Sequence, residues 1–242
     1  MPGTPTATGA HAGYSLLARG ALGHAGRWTD ATIGTVSASP VVVIVPVKPP
    51  SVGKSRLGLS ASRRTALATA FALDTLTAAA ATPSVAQVLV VTDDYRFAAR
   101  VRELGCAVMP DGVSGDLNAS LVQAAREAAR RWPGHRIAAL CADVPALTAD
   151  DLGAALAEAE GHGASFVRDA HGTGTSLYVV AQVATFDPRF GVASAVAHLE
   201  SGATELTGAL PTLRQDVDNA EDLGRALALG VGAHTARALV AD

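Results

Sequence analysis

The stretch Lys48-Pro-Pro-Ser-Val-Gly-Lys54-Ser-Arg56-Leu57 places three cations within nine positions, directly after the apolar run Val41–Val47. Cations held on a proline-stiffened loop can surround a triphosphate with side-chain charge and stabilise pyrophosphate as it leaves. Gly53-Lys54-Ser55 imitates the end of a P-loop. A true P-loop needs a glycine where Lys48 stands, and Pro49 and Pro50 remove two of the amide donors that would cradle phosphate. The loop therefore reads as a side-chain clamp, with a solvated basic surface loop as the alternative. Triphosphate chemistry at neutral pH calls for magnesium, which takes one or two carboxylates and leaves its other positions to phosphate and water. Asp143 and Asp218 suit that role, because each stands where an apolar run gives way to a loop. Asp216 would share a side with Asp218 in an extended strand, so the choice between those two stays open. Asp143 could also be a turn carboxylate ahead of Pro145. Asp93 and Asp94 end a run as well, but Asp94 is a natural helix cap.

The elements that must position these groups alternate along the chain. Short β-branched runs interleave with alanine-rich stretches at helical spacing, the pattern of a parallel sheet covered by helices. Val41–Val47 reads as a central strand buried on both faces. Helix 62–81, strand 87–91, helix 95–104, strand 106–109, helix 117–132 and strand 136–141 follow, and Thr148 caps a helix over 149–160. Beyond Gly163, strands 164–167 and 175–180 flank Gly172-Thr-Gly-Thr175 and suggest a β-rich insertion. A strand over 213–217 then runs into Asp218-Asn219, which caps a helix over 220–229. Ligands of open α/β sheets bind outside the carboxyl ends of the strands, where the cationic loop, Asp143 and Asp218 would all lie.

Composition narrows the partners. The chain has 242 residues and a formal net charge of -3, which gives no basic field for nucleic acid. No apolar run approaches the roughly 20 residues of a membrane span. Cys106 and Cys141 lack the spacing of a zinc site or disulfide framework and read as buried thiols in a reducing, cytoplasmic setting. Residues 1–39, rich in Gly, Ala, Thr and Ser, read as a disordered leader to a single domain over 40–242. The histidines fit no catalytic constellation; His171, beside the glycine-threonine turn, is the one worth testing as a substrate contact, and the rest read as incidental.

Taken in order, Val-Pro-Val-Lys48, Lys54-Ser-Arg56-Leu57, Leu117-Asn118, Ala-Asp143-Val-Pro-Ala-Leu147, Gly172-Thr-Gly-Thr175, Arg189-Phe-Gly191 and Asp216-Val-Asp218 resemble one family. It is the 2-phospho-L-lactate and phosphoenolpyruvate guanylyltransferases of deazaflavin coenzyme (factor 420) biosynthesis, and the likeness spans Val41 to about Leu239. The resemblance implies the nucleotide-diphospho-sugar transferase fold, a three-layer α/β sandwich with a mixed, mostly parallel sheet. It implies Lys48, Lys54 and Arg56 on the triphosphate of GTP, Asn118 on the nucleoside, and magnesium on Asp143 and Asp218. It also implies Thr175, Gly191 and Ser194 around the acceptor, where Ser194 opens a short helix running toward His198. Asp116 departs from many relatives, which carry a smaller or uncharged residue before Leu-Asn. The expected partners are GTP and phosphoenolpyruvate or a similar phosphorylated three-carbon acid, with a homodimer allowed. The alternatives are a transferase using another nucleotide or acceptor, such as 3-phosphoglycerate or molybdenum cofactor, and a non-catalytic nucleotide-sensing subunit.

Overall fold

The computed structural model describes residues 39–48, 57–113 and 115–241. Lys54, Arg56 and nearly all of the leader lie outside them. The first strand, β1 (Val41–Pro46), is β-branched almost throughout, and its alternate side chains feed two cores. Val41, Val43 and Val45 pack on one face with Leu73 and Leu76 of α1 (Ala61–Ala81) and Leu152 and Leu156 of α4 (Ala149–Glu158). Val42 and Ile44 face the other way, toward Leu121, Ala124 and Ala128 of α3 (Leu117–Arg131). Apolar side chains on both faces of one strand require a helix layer on each side, which gives the three-layer sandwich.

The remaining strands are β2 (Val85–Val91), β3 (Ala107–Met109), β4 (Arg136–Leu140), β5 (Ala164–Arg168), β6 (Thr175–Val180) and β7 (Thr204–Glu205). They join β1 in a seven-stranded sheet of order β3-β2-β1-β4-β6-β5-β7. All its pairings are parallel except the two made by β6, which runs against β4 and β5. The pair β5 and β6 is therefore not an insertion. It completes the main sheet, and reversing β6 brings Thr175, at its start, to the edge where β1 and β4 end.

Most helix boundaries fall within two residues of those expected, and their caps explain why. Asp94 accepts the amides of Arg96 and Phe97 at the start of α2 (Tyr95–Glu103), and Thr148 accepts that of Asp151. Asn219 and Asp222 form a reciprocal capping box on α7 (Ala220–Leu229). Asp116 caps α3 by accepting the amide of Ala119 at 3.0 Å.

One expected strand is wrong. Residues 213–217 begin inside a short helix, α6 (Pro211–Arg214), and continue as irregular chain. Pro211 presets the first helical φ, and Asp151 holds the Thr212 amide and hydroxyl at 2.8 and 2.7 Å. Burial still alternates, with Gln215 and Val217 buried, Asp216 half-buried and Asp218 exposed, so a period-two pattern survives outside the sheet. Among the described residues three elements had no sequence expectation, the 3-10 turn Val183–Thr185, β7 and α8 (Ala233–Val240). Asp74, buried within α1, accepts the amides of His234 and Thr235 and so latches the start of α8 onto α1. No helix among the described residues is long and apolar enough to cross a membrane.

Candidate active site at the carboxyl edge of the sheet

Asp143 lies half-exposed in the loop after β4, and that loop is anchored on both sides. Thr75 of α1, fully buried, has its hydroxyl 3.3 Å from the Ala142 carbonyl and accepts the Val144 amide at 3.2 Å. Val144, Pro145, Ala146 and Leu147 are buried, and the Pro145 carbonyl takes the Gly232 amide at 2.9 Å. A polar residue is thus presented at the mouth of a loop whose remainder is core.

The second acidic segment is tied to the first. The Val217 amide donates to the Asp143 carbonyl at 3.0 Å, which brings Asp216 and Asp218 beside Asp143 although 73 to 75 positions separate them in sequence. Asp222, wholly buried, accepts the amides of Asp218 and Asn219 at 3.1 and 3.2 Å and fixes the backbone that carries Asp218. His171 caps this arrangement with Nε2 2.9 Å from the other oxygen of Asp222. That hydrogen bond, and then the charge behind it, raises the His171 pKa above the ordinary histidine value. His171 thus props the Asp218 loop through Asp222. Among the described residues no group of three or more His, Cys, Asp or Glu could hold a metal ion, so the acidic pair is not a complete protein cage.

Across β4, the turn between β5 and β6 is folded by Asp169, whose carboxylate accepts the amides of Thr173 and Gly174 at 3.0 and 2.8 Å. Thr175 follows and is 5 % exposed. The Cys141 thiol reaches its carbonyl at 3.2 Å, so Cys141 sits half-exposed at the site edge, whereas Cys106 is buried as expected and burial pushes its thiol up to about 11. Helix α5 (Ser194–Glu200) docks on the same turn, since the Ala195 amide donates to the Thr173 carbonyl at 3.1 Å. Docking brings the Ser194 hydroxyl 3.2 Å from Thr175 Oγ1. The chain reaches α5 through Gly191 at φ 138° and Ala193 at φ 55°, a left-handed backbone that Gly191 adopts without a Cβ penalty. Ser194 thus meets Thr175 through its hydroxyl and the Gly191 carbonyl through its amide at 3.2 Å.

Asn118 stands at the start of α3 and is spoken for twice. Its amide nitrogen donates to the Phe190 carbonyl and its oxygen accepts the Phe190 amide, both at 2.9 Å. It joins α3 to the loop ahead of Gly191, with one amide hydrogen to spare. Lys48 is exposed after β1, beside a small groove that Val47, Thr92 and Asp94 also line.

One participant is absent from the sequence reading. His198, treated there as incidental, is 0 % exposed, lies 3.0 Å from Thr175 Oγ1 through Nδ1, and accepts the Arg189 amide on Nε2 at 2.9 Å. It stacks on Tyr178 and Phe166, with Phe190 edge-on. Burial in this aromatic box holds its pKa down at about 4. The one local hint is that Ser194 and His198 are four residues apart on a single helix face.

The family model of CofC-like guanylyl transferases matches residues 41–240. The chain belongs to this family. Its members include the phosphoenolpyruvate guanylyltransferase of Thermomonospora curvata, 45 % identical over 196 residues that cover 80 % of this chain and 86 % of that one. The enzyme of the same name from Mycolicibacterium smegmatis is 42 % identical over 223 residues, covering 89 % and 98 %. CofC-like proteins are transferases, and the chain is a guanylyltransferase on an α/β nucleotidyltransferase fold. Two solved structures share that fold and show nothing finer. They are 4-diphosphocytidyl-2C-methyl-D-erythritol synthase (TM-score 0.54, 13 % identity, 79 % of this chain and 99 % of that one) and a nucleotidyl transferase from Methanothermobacter thermautotroptrophicus (TM-score 0.50, 21 % identity, 77 % and 95 %).

Proposed function

We propose that the chain transfers GMP from GTP to phosphoenolpyruvate with release of pyrophosphate, as a step in making a deazaflavin coenzyme. The observation that carries this reading is the meeting, at one sheet edge, of two acidic segments joined by the Val217–Asp143 hydrogen bond with the Thr175–Ser194 hydroxyl pair one strand away. The acids suit a metal-nucleotide complex, and the Thr175 hydroxyl, which accepts from Ser194, suits an anionic acceptor. The curated relatives named above favour phosphoenolpyruvate over 2-phospho-L-lactate and 3-phosphoglycerate.

In this reading a phosphate oxygen of the acceptor attacks the α-phosphorus of GTP in line. The bond from that phosphorus to the bridging oxygen of the β-phosphate breaks, and the electron pair leaves with pyrophosphate. No general base is needed, because a phosphate monoester with a second pKa of ~6 is already ionised at neutral pH. The work left to the protein is to align two anions that repel. Lys48, Lys54 and Arg56 hold the triphosphate, and Asn118 spends its remaining amide hydrogen on the nucleoside. Thr175, Gly191 and Ser194 seat the acceptor. Asp143 and Asp218 would hold magnesium; two carboxylates without a full cage fit an ion that shares its shell with phosphate and water, and there it would neutralise triphosphate charge. Residues 40–242 act as a single domain in this scheme.

The test is mass spectrometry of products from GTP, magnesium and the three acids in competition, with CTP and ATP in parallel. Guanylylated phosphoenolpyruvate and pyrophosphate are expected as the main products. Preferential use of another nucleotide, or no pyrophosphate with any acid, would overturn the proposal.

A further inference from the structure

Among the described residues His198 bonds neither acidic segment, yet its two nitrogens join Thr175 to the loop before Gly191. The Arg189 amide can only donate, so Nε2, which receives it at 2.9 Å, carries no hydrogen. A neutral imidazole must then hold its one hydrogen on Nδ1, and Nδ1 must be the donor to Thr175 Oγ1 at 3.0 Å. Ser194 Oγ donates to the same Thr175 oxygen at 3.2 Å. Both lone pairs of the Thr175 hydroxyl are thereby filled by protein donors. Its own hydrogen has no acceptor among the hydrogen bonds found in the described residues, although the residue is only 5 % exposed.

We propose that His198 is a positioning residue that commits the Thr175 hydroxyl to donating, and that holds the loop before Gly191 by its second nitrogen. The ligand atom opposite Thr175 must then be an oxygen with free lone pairs, the carboxylate or ionised phosphate of the acceptor, and a hydroxyl donor is refused there. This inference rests on the reading of Thr175, Gly191 and Ser194 as the acceptor site. The aromatic box serves the same end: Tyr178 at 4.6 Å and Phe166 at 5.6 Å between ring centroids fix the plane of the imidazole, so both nitrogens point along fixed lines. A positively charged His198 would put a second hydrogen against the Arg189 amide, and the geometry excludes that form.

The test is steady-state kinetics by pyrophosphate release, with phosphoenolpyruvate and GTP varied separately. His198→Phe keeps the stack and removes both hydrogen bonds. It is expected to raise the acceptor KM about tenfold, the worth of one well-placed hydrogen bond, while the GTP KM stays within about twofold. His198→Asn retains an amide hydrogen near Nδ1 and should restore much of the loss. His198→Gln places its polar group near Nε2 and should not. In a Thr175→Val background, His198→Phe should add nothing to the acceptor KM. A full additional effect in that background, equal behaviour of Asn and Gln, or an equal rise in the GTP KM would overturn the positioning role. Should His198→Phe not fold, the Asn and Gln pair decides. An unchanged acceptor KM in Thr175→Val alone would instead overturn the acceptor site itself.

Discussion

His198 makes the stability of the protein depend on acid in a way that a single substitution can isolate. In the fold its pKa is about 4, set first by burial, which outweighs the opposing backbone hydrogen bond of Ser194; the Arg189 charge also lowers it and Asp187 opposes. In the unfolded chain it returns to the ordinary value of about 6.5. The folded pKa is the lower one, so as pH falls the unfolded state takes up its proton first. The contribution is therefore complete above about pH 6.5 and is lost as pH falls toward 4. Applied to these two values, linkage gives a loss of about 2 kcal/mol between pH 7 and pH 5. The figure hardly changes if the folded value lies lower still, because at pH 5 the folded imidazole is already neutral. The measurement is urea unfolding of the wild type and His198→Phe at pH 7, 6 and 5. With a slope of ~2 kcal/mol per molar urea, the wild-type midpoint should fall about 1 M further than that of the variant over this range. His171 acts in the opposite sense, since its raised pKa gives stability that is complete below about pH 6.5 and lost as pH rises above it, but it is present in both proteins and cancels. Equal pH dependence of the two proteins would refute the claim that His198 is buried neutral.

Asp143→Ala should remove most turnover with magnesium while leaving the unfolding midpoint close to that of the wild type; near-normal turnover would refute the metal assignment. Lys54→Ala should cost ~2 to 4 kcal/mol of transition-state stabilisation, read as the fall in kcat/KM for GTP, by analogy with losing one oxyanion donor. Asp94→Ala should lower stability by ~1 kcal/mol in urea, because two amides of α2 lose their cap, and leave kcat/KM unchanged. A selective rise in the magnesium requirement of that variant would show that Asp94 binds metal after all. Asp222→Ala should raise the magnesium concentration for half-maximal rate, since the amides of Asp218 and Asn219 then lose their fixed acceptor. An unchanged magnesium titration would refute the support role of Asp222.

What the sequence made legible is what local physics decides. A β-branched run such as Val41–Val45 has one good solution, a strand buried on both faces, and the carboxyl ends of such strands locate Asp143 and the cationic loop from sequence alone. Caps are equally local, so Asp94, Thr148 and Asn219 could be assigned from their places before helical stretches. The segment 213–217 misled because alternation needs only one buried side, whereas a strand also needs a neighbour to take its amides. Pro211, Asp151 and the Asp143 carbonyl supply other partners. The role of Asp74 lies beyond any local pattern, because its partners are 160 residues and more away.

The same limit explains His198. Beyond its i, i+4 spacing from Ser194, its own helix gives little to distinguish it from a histidine satisfied in the core, and the 23 positions between it and Thr175 close only when α5 docks on the β5–β6 turn. The docking also explains why two separate side chains grip one loop. Asn118 takes both polar groups of Phe190, and His198 takes the amide of Arg189, the residue before it. A loop that must pass through the unusual backbone of Gly191 and Ala193 has little regular hydrogen bonding of its own, and these side chains supply it. Asn118 begins the helix assigned to the nucleoside and His198 backs the hydroxyl assigned to the acceptor. Substituting either should therefore disturb the position of the same loop, and a double-mutant cycle between them should show coupling in the acceptor KM although they bond different residues of it.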